Sequence, residues 1–149
     1  MAGSDAPAAP IGSRRRHWAE ELIGRPWLAG GRGPRAFDCW GLVRWCLRRR
    51  FAVEVPEIPV DPEDLRAVCE TFRAHPERRR WRSVDRPAEG DAVLMRQSRH
   101  PVHVGLWLEV DGGGVLHAVR DAGVVFQRPQ ELATHGWRIE GFYRFDGGR

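Results

Sequence analysis

Residues 24–50 read GRPWLAGGRGPRAFDCWGLVRWCLRRR, and the character of this stretch changes at Asp38. Before Asp38, glycine and proline are closely spaced around Trp27, which indicates a structured loop. After it, the spacing of three and four residues that marks one helix face is occupied by Cys39, Leu42, Val43, Cys46, Leu47 and Arg50. The pattern predicts a helix from Cys39 to about Arg50. Asp38 is the predicted N-cap, because a short carboxylate accepts the unpaired N–H groups of a first turn.

Further helices are predicted on both sides of this segment, and strands after residue 80. Residues 14–23 have the spacing of a short helix, whose inward side chains are Trp18, Leu22 and Ile23. Another helix is predicted from Asp61 to about residue 75, and its buried side is Leu65, Val68, Cys69 and Phe72. The predicted strands are 92–95, 102–108, 115–119, 124–127 and 142–145. This order predicts an α+β fold, with N-terminal helices packed on a five- to six-stranded antiparallel sheet.

Length and composition are those of one soluble domain. The chain has 149 residues, of which 42% are hydrophobic and 30% charged. Residues 1–12 are expected to form a flexible N-terminal arm and residues 13–149 a single domain. No apolar run approaches the roughly 18 residues of a membrane span, and the first fifteen residues lack the apolar stretch of a secretory signal. We therefore expect synthesis in the cytoplasm without membrane insertion.

The net charge of +4 comes from 24 basic residues, all of them arginine, against 20 acidic ones. Arginine triplets at 14–16, 48–50 and 78–80 are dispersed and interleaved with acids. This distribution favours solvated faces over a phosphate-binding surface, which requires denser clustering. A nucleic-acid-binding module is supported by charge alone. Five of the seven tryptophans are expected mainly in the core or at an interface, namely Trp18, Trp40, Trp45, Trp81 and Trp137.

Three cysteines, Cys39, Cys46 and Cys69, cannot all pair within one chain. On one helix, Cys39 and Cys46 would have Cα atoms about 10 Å apart, beyond disulfide reach. We expect free thiols in a reducing compartment. Cys39, in the first turn of its helix, meets backbone N–H groups and the positive end of the dipole, which favour the thiolate. The alternative is a buried structural thiol, and the charge of Asp38 opposes the thiolate unless it caps the helix.

A nucleophilic cysteine needs a base, and His103 and His117 lie on neighbouring predicted strands. A hairpin centred on the 111–114 loop sets His117 opposite Leu108, so that the two imidazoles meet only diagonally. Gly105, beside His103, is expected to leave an open surface for a helix end or a substrate. His100 and His103 could instead suggest a metal site. Residues three apart on a strand face opposite sides, however, and we predict no metal ligands.

The segments quoted above resemble the signature of the NlpC/P60 cysteine peptidases. Gly24–Gly31 is similar to a G-x-P-Y-x-x-G-G stretch, which leads into a D-C-S-G-L-V helix start at Asp38–Val43. Arg86–Leu94 is similar to P-x-G-D-L-V-F, His103–Trp107 to H-V-G-I-Y, and Leu116–Ala118 to I-H-A. The motifs agree in order and approximate spacing over residues 24–119. Two positions depart from the pattern: Trp27 replaces the usual tyrosine, and Trp40 replaces the serine after the nucleophile.

The resemblance implies a papain-like core with Cys39 as nucleophile, His103 as base and His117 as its orienting partner. It places Asp38, Trp27 and Trp40 in the oxyanion or substrate-binding region. It implies hydrolysis of cell-wall stem peptides, commonly at the bond from D-glutamate to a diamino acid, without a cofactor. The D-C-W-G-L-V form further resembles the phage-tail-associated branch, whose partners are tail-tip proteins and whose site of action is the host cell wall.

Two other interpretations keep the same fold. A structural tail-tip protein with lost or weakened activity is favoured by the tryptophans at positions 27 and 40. An amidase or acyltransferase would use the same Cys39–His103 pair, because the residues do not distinguish between acyl acceptors.

Overall fold

The computed structural model describes residues 17–55, 81–97 and 100–145. The predicted arm over residues 1–12, the helix over 61–75 and Cys69 lie outside these ranges. The helical elements are a 3-10 helix Trp18–Glu21, α1 Cys39–Phe51 and α2 Pro129–Thr134. The strands are β1 Trp81–Val84, β2 Ala92–Gln97, β3 His100–Leu108, β4 Gly114–Val119, β5 Gly123–Gln127 and β6 Arg138–Phe145.

All six described strands form one antiparallel sheet in the order β1-β6-β2-β3-β4-β5. The α+β prediction is therefore confirmed, with the upper of the two expected strand numbers. No helix in the described ranges is long and apolar enough to cross a membrane.

Helix α1 begins at Cys39 as predicted and continues one residue beyond Arg50. The Asp38 side chain caps it by accepting the Gly41 N–H at 2.6 Å. The buried stripe consists of Cys39, Leu42, Val43, Cys46 and Leu47. Arg50, which the spacing also assigned to this stripe, is exposed, and its guanidinium lies 5.3 Å from the centre of the Trp18 ring. Burying a charged guanidinium is costly, so Arg50 stays at the surface although the helical period assigned it to the buried stripe.

The sheet separates two apolar clusters. The larger lies between α1 and one face of the sheet, and includes Leu42, Val104, Leu106 and Leu116. The smaller lies on the opposite face and consists of Val93, Met95, Trp107, Val115 and Leu132. Leu132 belongs to α2, a helix that the sequence did not predict because its six residues carry too short a periodic signal.

Several expected boundaries were wrong. Ile23 is 46% exposed, because the N-terminal helix is a single 3-10 turn that ends before it. Strand β1 was not predicted, and β6 begins at Arg138, four residues before the expected start. Both strands have mixed polar and apolar sequences, which give only a weak alternating pattern.

The pairing of β3 with β4 differs from the predicted register by three residues. Leu108 lies opposite Gly114, and Leu106 opposite Leu116. The chain turns earlier than expected because Asp111, Gly112 and Gly113 take the positive φ angles, 51°, 85° and 106°, while Gly114 already belongs to β4. Continuing this register by one pair sets His117 across from Gly105, two residues from His103 on the same strand face.

The sequence suggested that Gly105 leaves an open surface for a helix end or a substrate, but in the structure this space is filled. A Cβ atom there would lie 2.4 Å from Val115 Cγ1, 2.9 Å from the Leu116 carbonyl oxygen and 3.0 Å from His117 Cβ. The neighbouring strand β4 therefore occupies this space. The missing side chain lets His117 approach β3 closely enough to reach His103.

We expect Gly105→Ala to lower the free energy of unfolding by about 1–3 kcal/mol, because backbone and β-carbon atoms of β4 would have to move. Thermal unfolding followed by circular dichroism measures the change. Gly141→Ala is the matched strand control, since the atoms nearest to its Cβ would belong to the Tyr143 side chain, at 3.2 Å or more. Equal melting temperatures for the two variants would contradict the close approach of β4.

Candidate active site

Cys39 lies at the first position of α1 and is 8% exposed. Burial raises the pKa of its thiol to about 11, and the negative charge of Asp38 adds to this rise. Backbone hydrogen bonds from Val104, Trp40 and Cys39 itself act in the opposite direction and lower the pKa. The resting thiol is therefore protonated at neutral pH, in spite of its place at a helix N-terminus.

The backbone contact with Val104 brings the thiol to strand β3 beside His103, the preceding residue. The pKa of the Cys39 thiol is thus set mainly by burial, by Asp38 and by backbone amides, and not by an imidazole. The structure brings the predicted nucleophile, Cys39, and the predicted base, His103, to adjoining elements. Burial raises the pKa of the Cys39 thiol and lowers that of the His103 imidazole, and both shifts favour the neutral forms over an ion pair.

His103 and His117 are joined directly. His103 Nε2 lies 2.9 Å from His117 Nδ1, and the two side chains are buried, with 7% and 0% exposure. Burial lowers the pKa of His103 well below its usual value, and the nearby His117 lowers it further. Burial lowers the pKa of His117 to about 4, a hydrogen bond donated by His117 to the Gln127 side chain raises it in part, and the charge of His135 lowers it. Both rings are therefore neutral at pH 7.

The hydrogen bonds continue outward from His117. Its Nε2 lies 2.8 Å from Gln127 Oε1, and Gln127 Nε2 lies 3.2 Å from His135 Nδ1. No motif or spacing in the sequence pointed to Gln127. Its position becomes informative only once the β4–β5 register is known, because His117 pairs with Val125, two residues before it on the same face.

Trp137 also belongs to this cluster, although the sequence assigned it to a core or an interface. Its ring stacks on His103, with centroids 4.4 Å apart and planes inclined by 26°. It meets the His117 ring edge-on at 5.6 Å. No sequence spacing connects residues 103 and 137, and only the folded sheet does so. Trp137 thus covers one face of the His103 ring.

Asp38 holds the loop and the helix together. Besides capping Gly41, its carboxylate accepts the Gly30 N–H at 3.1 Å and the Arg32 guanidinium at 2.8 Å. The residue is only 2% exposed. These hydrogen bonds fix the Asp38 carboxylate between the loop and the first turn of α1.

The structure explains why the Asp-Cys-Trp-Gly segment has a glycine at position 41. A Cβ atom there would lie 2.0 Å from the Gly31 carbonyl oxygen and 3.0 Å from Asp38 Oδ1. Only a residue without a side chain lets the loop lie this close to the first turn of α1.

The two tryptophans at unusual positions have different surroundings. Trp40 is buried in the larger cluster, with its ring centroid 6.4 Å from that of Trp81. Trp27 is half-buried, and the Arg120 guanidinium lies 4.9 Å from the centre of its ring. Trp27 thus lies nearer the surface than Trp40. Their predicted part in oxyanion or substrate binding stays a prediction, as does that of Asp38.

The remaining described thiol is Cys46, which is fully buried and whose pKa burial raises to about 12. Cys39 and Cys46 are both free, as their spacing predicted. Within the described residues, no group of three or more His, Cys, Asp or Glu side chains could hold a metal ion.

The chain is similar to known proteins in sequence and in fold. Residues 24–139 match the model of the NlpC/P60 family. A search of curated proteins found no match.

Among solved structures, the fold is similar to the NlpC/p60 domain of the peptidoglycan hydrolase SagA. The TM-score is 0.55 at 19% identity, covering 85% of this chain and 92% of that one. NlpC1 and NlpC2 from Trichomonas vaginalis both match 85% of this chain with TM-scores of 0.58, at 16% and 17% identity. The match covers 41% and 44% of those two chains.

We expect alkylation of Cys39 by iodoacetamide to be slow at pH 7 and to accelerate about tenfold per pH unit toward pH 11. Only the thiolate reacts, and its fraction grows as the pH approaches the pKa of about 11. Peptide mass spectrometry over a pH series measures the rate, with Cys46 as the slower internal comparison. A rate already constant between pH 6 and 8 would show a preformed thiolate instead.

Proposed function

The chain belongs to the NlpC/P60 family, and on that premise we propose that it is a cysteine endopeptidase acting on the stem peptides of bacterial peptidoglycan. The observation that carries the proposal is the contact of the Cys39 thiol with the backbone of Val104, the residue after His103, together with the hydrogen bond between the buried His103 and His117. The proposal assigns the nucleophile to α1, the base to β3 and the partner of the base to β4.

In the proposed reaction, Cys39 Sγ attacks the carbonyl carbon of the scissile bond while its proton moves to His103. Because the resting groups are neutral, proton transfer and formation of the C–S bond proceed together. The backbone N–H of Cys39, at the start of α1, donates to the developing oxyanion. The His103 imidazolium then protonates the leaving amine, which breaks the C–N bond and leaves a thioester.

Water completes the cycle. His103, neutral again, accepts a proton from a water molecule, whose oxygen attacks the thioester carbonyl. The C–S bond breaks, the product leaves as a carboxylic acid, and the proton returns to the Cys39 thiol. His117 orients the imidazole in both steps through the 2.9 Å hydrogen bond. For the cleaved bond we propose that from D-glutamate to the diamino acid, which the resemblance of the motifs supports.

A second candidate is a protein that keeps the fold but does not turn over substrate. It is favoured by the raised pKa of the buried Cys39 thiol and by the presence of Trp27 and Trp40 where hydroxyl-bearing residues are usual. The two candidates differ in one measurable property, the cleavage of a peptide by a defined thiol.

We expect the wild type to cleave purified cell-wall muropeptides, Cys39→Ala to lose this activity and Cys46→Ala to keep it. Cys46 is the matched control because it is a buried thiol on the same helix. Mass spectrometry of the products identifies the broken bond. His117→Ala should lower turnover much more than it lowers the melting temperature. Cleavage that persists in Cys39→Ala would refute the thiol mechanism, and no cleavage by any variant would favour the second candidate.

We further propose that the protein acts as a component of a phage or phage-like tail. The support is the Asp38–Val43 segment, whose D-C-W-G-L-V form resembles the tail-associated branch. We expect the chain to sediment with purified tail particles and to be detected in them by peptide mass spectrometry. Its absence from such particles, together with its presence in the soluble fraction of the producing cells, would reject this setting.

A further inference from the structure

We propose that Gln127 is a positioning residue that fixes where the protons lie on His117 and His103, leaving His103 Nδ1 free to take a proton. This inference rests on the proposed function, because it assigns the atom that acts as the base. It concerns a residue two strands away from the base, which the motifs did not include.

The first step is the contact itself. Gln127 is the last residue of β5 and pairs with Val115, while His117 pairs with Val125. Gln127 and His117 therefore occupy diagonal positions on one face of the sheet. Gln127 Oε1 lies 2.8 Å from His117 Nε2, within the partly buried space behind the base.

The second step follows from the chemistry of the amide. A carbonyl oxygen only accepts, so His117 Nε2 must carry the proton of this hydrogen bond. Because the pKa of His117 is about 4, its ring is neutral at pH 7 and has a single N–H. Its Nδ1 is then an acceptor, and the proton in the 2.9 Å contact belongs to His103 Nε2. His103 is neutral too, so its Nδ1 holds a lone pair.

The opposite orientation of the amide shows why this matters. If the Gln127 NH2 group faced His117, it would donate to Nε2, and His117 would carry its proton on Nδ1. That proton would be donated to His103 Nε2, and His103 would carry its own proton on Nδ1. The heavy atoms would stay in place, yet neither His103 nitrogen could accept the Cys39 proton. One amide thus distinguishes an active from an inactive arrangement of the same residues.

The outer contact of the amide is a weaker constraint. Gln127 Nε2 lies 3.2 Å from His135 Nδ1, but that nitrogen also lies 2.9 Å from the Glu131 carbonyl oxygen. His135 Nδ1 cannot accept from the amide and donate to the carbonyl at the same time. The acceptor function of Oε1 toward His117 is therefore the part of Gln127 that sets the tautomers.

Two substitutions separate this function from packing. Gln127→Glu keeps an oxygen acceptor at the same reach and removes the donor toward His135. Gln127→Met keeps an unbranched side chain of similar length and removes the acceptor. Gln130→Met, an exposed position on α2, is the control for the same chemical change elsewhere.

The primary readout is the tautomeric state, measured by long-range ¹H–¹⁵N correlation spectra of protein with ¹⁵N-labelled histidine. In the wild type, Gln127→Glu and Gln130→Met, we expect the proton on Nε2 of both His103 and His117. In Gln127→Met, we expect a substantial population with the proton on Nδ1. Unchanged tautomers in Gln127→Met would overturn the proposal.

Turnover provides the second readout. We expect Gln127→Met to lower kcat by about 10- to 100-fold, with KM changed less than about twofold and rescue of kcat in Gln127→Glu. Equal losses in the Met and Glu variants would overturn the assigned role, since only one of them lacks the acceptor. If the wild type cleaves no muropeptide while the tautomers still follow residue 127, the proposed function fails and the proton assignment stands.

Discussion

The buried carboxylate of Asp38 is the constraint on which the rest of the site depends. It accepts N–H groups from the loop at Gly30 and from the helix at Gly41, and it carries the charge of Arg32. A carboxylate with so little exposure is stable only when its oxygens are satisfied, so loop and helix cannot separate without leaving a buried charge unpaired. The same hydrogen bonds hold Cys39, the next residue, in place. The cost is electrostatic, since the same negative charge helps to keep the neighbouring thiol protonated.

Burial has two similar effects on the imidazoles of His103 and His117: it holds the rings in place, and it lowers their basicity. Excluding water from His103 and His117 lowers the pKa of both rings and makes them poor bases at rest. It also strengthens each hydrogen bond that the rings keep. In such a space, the direction of a single N–H determines what a ring can do. Trp137 contributes by covering His103 with an apolar surface that offers the base no competing hydrogen bond along its stacked face. The ability of His103 to accept a proton then depends on groups that do not touch the reacting atoms.

The parts that sequence predicted well are those encoded by neighbouring residues. The start of α1, its buried stripe and the cap at Asp38 follow from spacing within one helix, and the strands β2 to β5 follow from short alternating runs. The β3–β4 register was wrong, because three consecutive residues with positive φ moved the turn. Gln127 and Trp137 were missed for a different reason. Their roles depend on which strands become neighbours, and that is decided by the pairing of the whole sheet rather than by any local pattern.

The position of β6 has a consequence for the order in which the protein matures. This strand is the last described in sequence, yet it lies inside the sheet between β1 and β2. A growing chain that has been synthesised as far as β5 holds Cys39, His103 and His117, but it lacks the strand that connects β1 to the others. Trp137, just before β6, is also absent at that stage, so His103 has no ring stacked on it. Domains assemble as their segments leave the ribosome. The surroundings of His103 therefore reach their final form only after β6 has emerged, which separates synthesis of Cys39 from completion of the packing around His103.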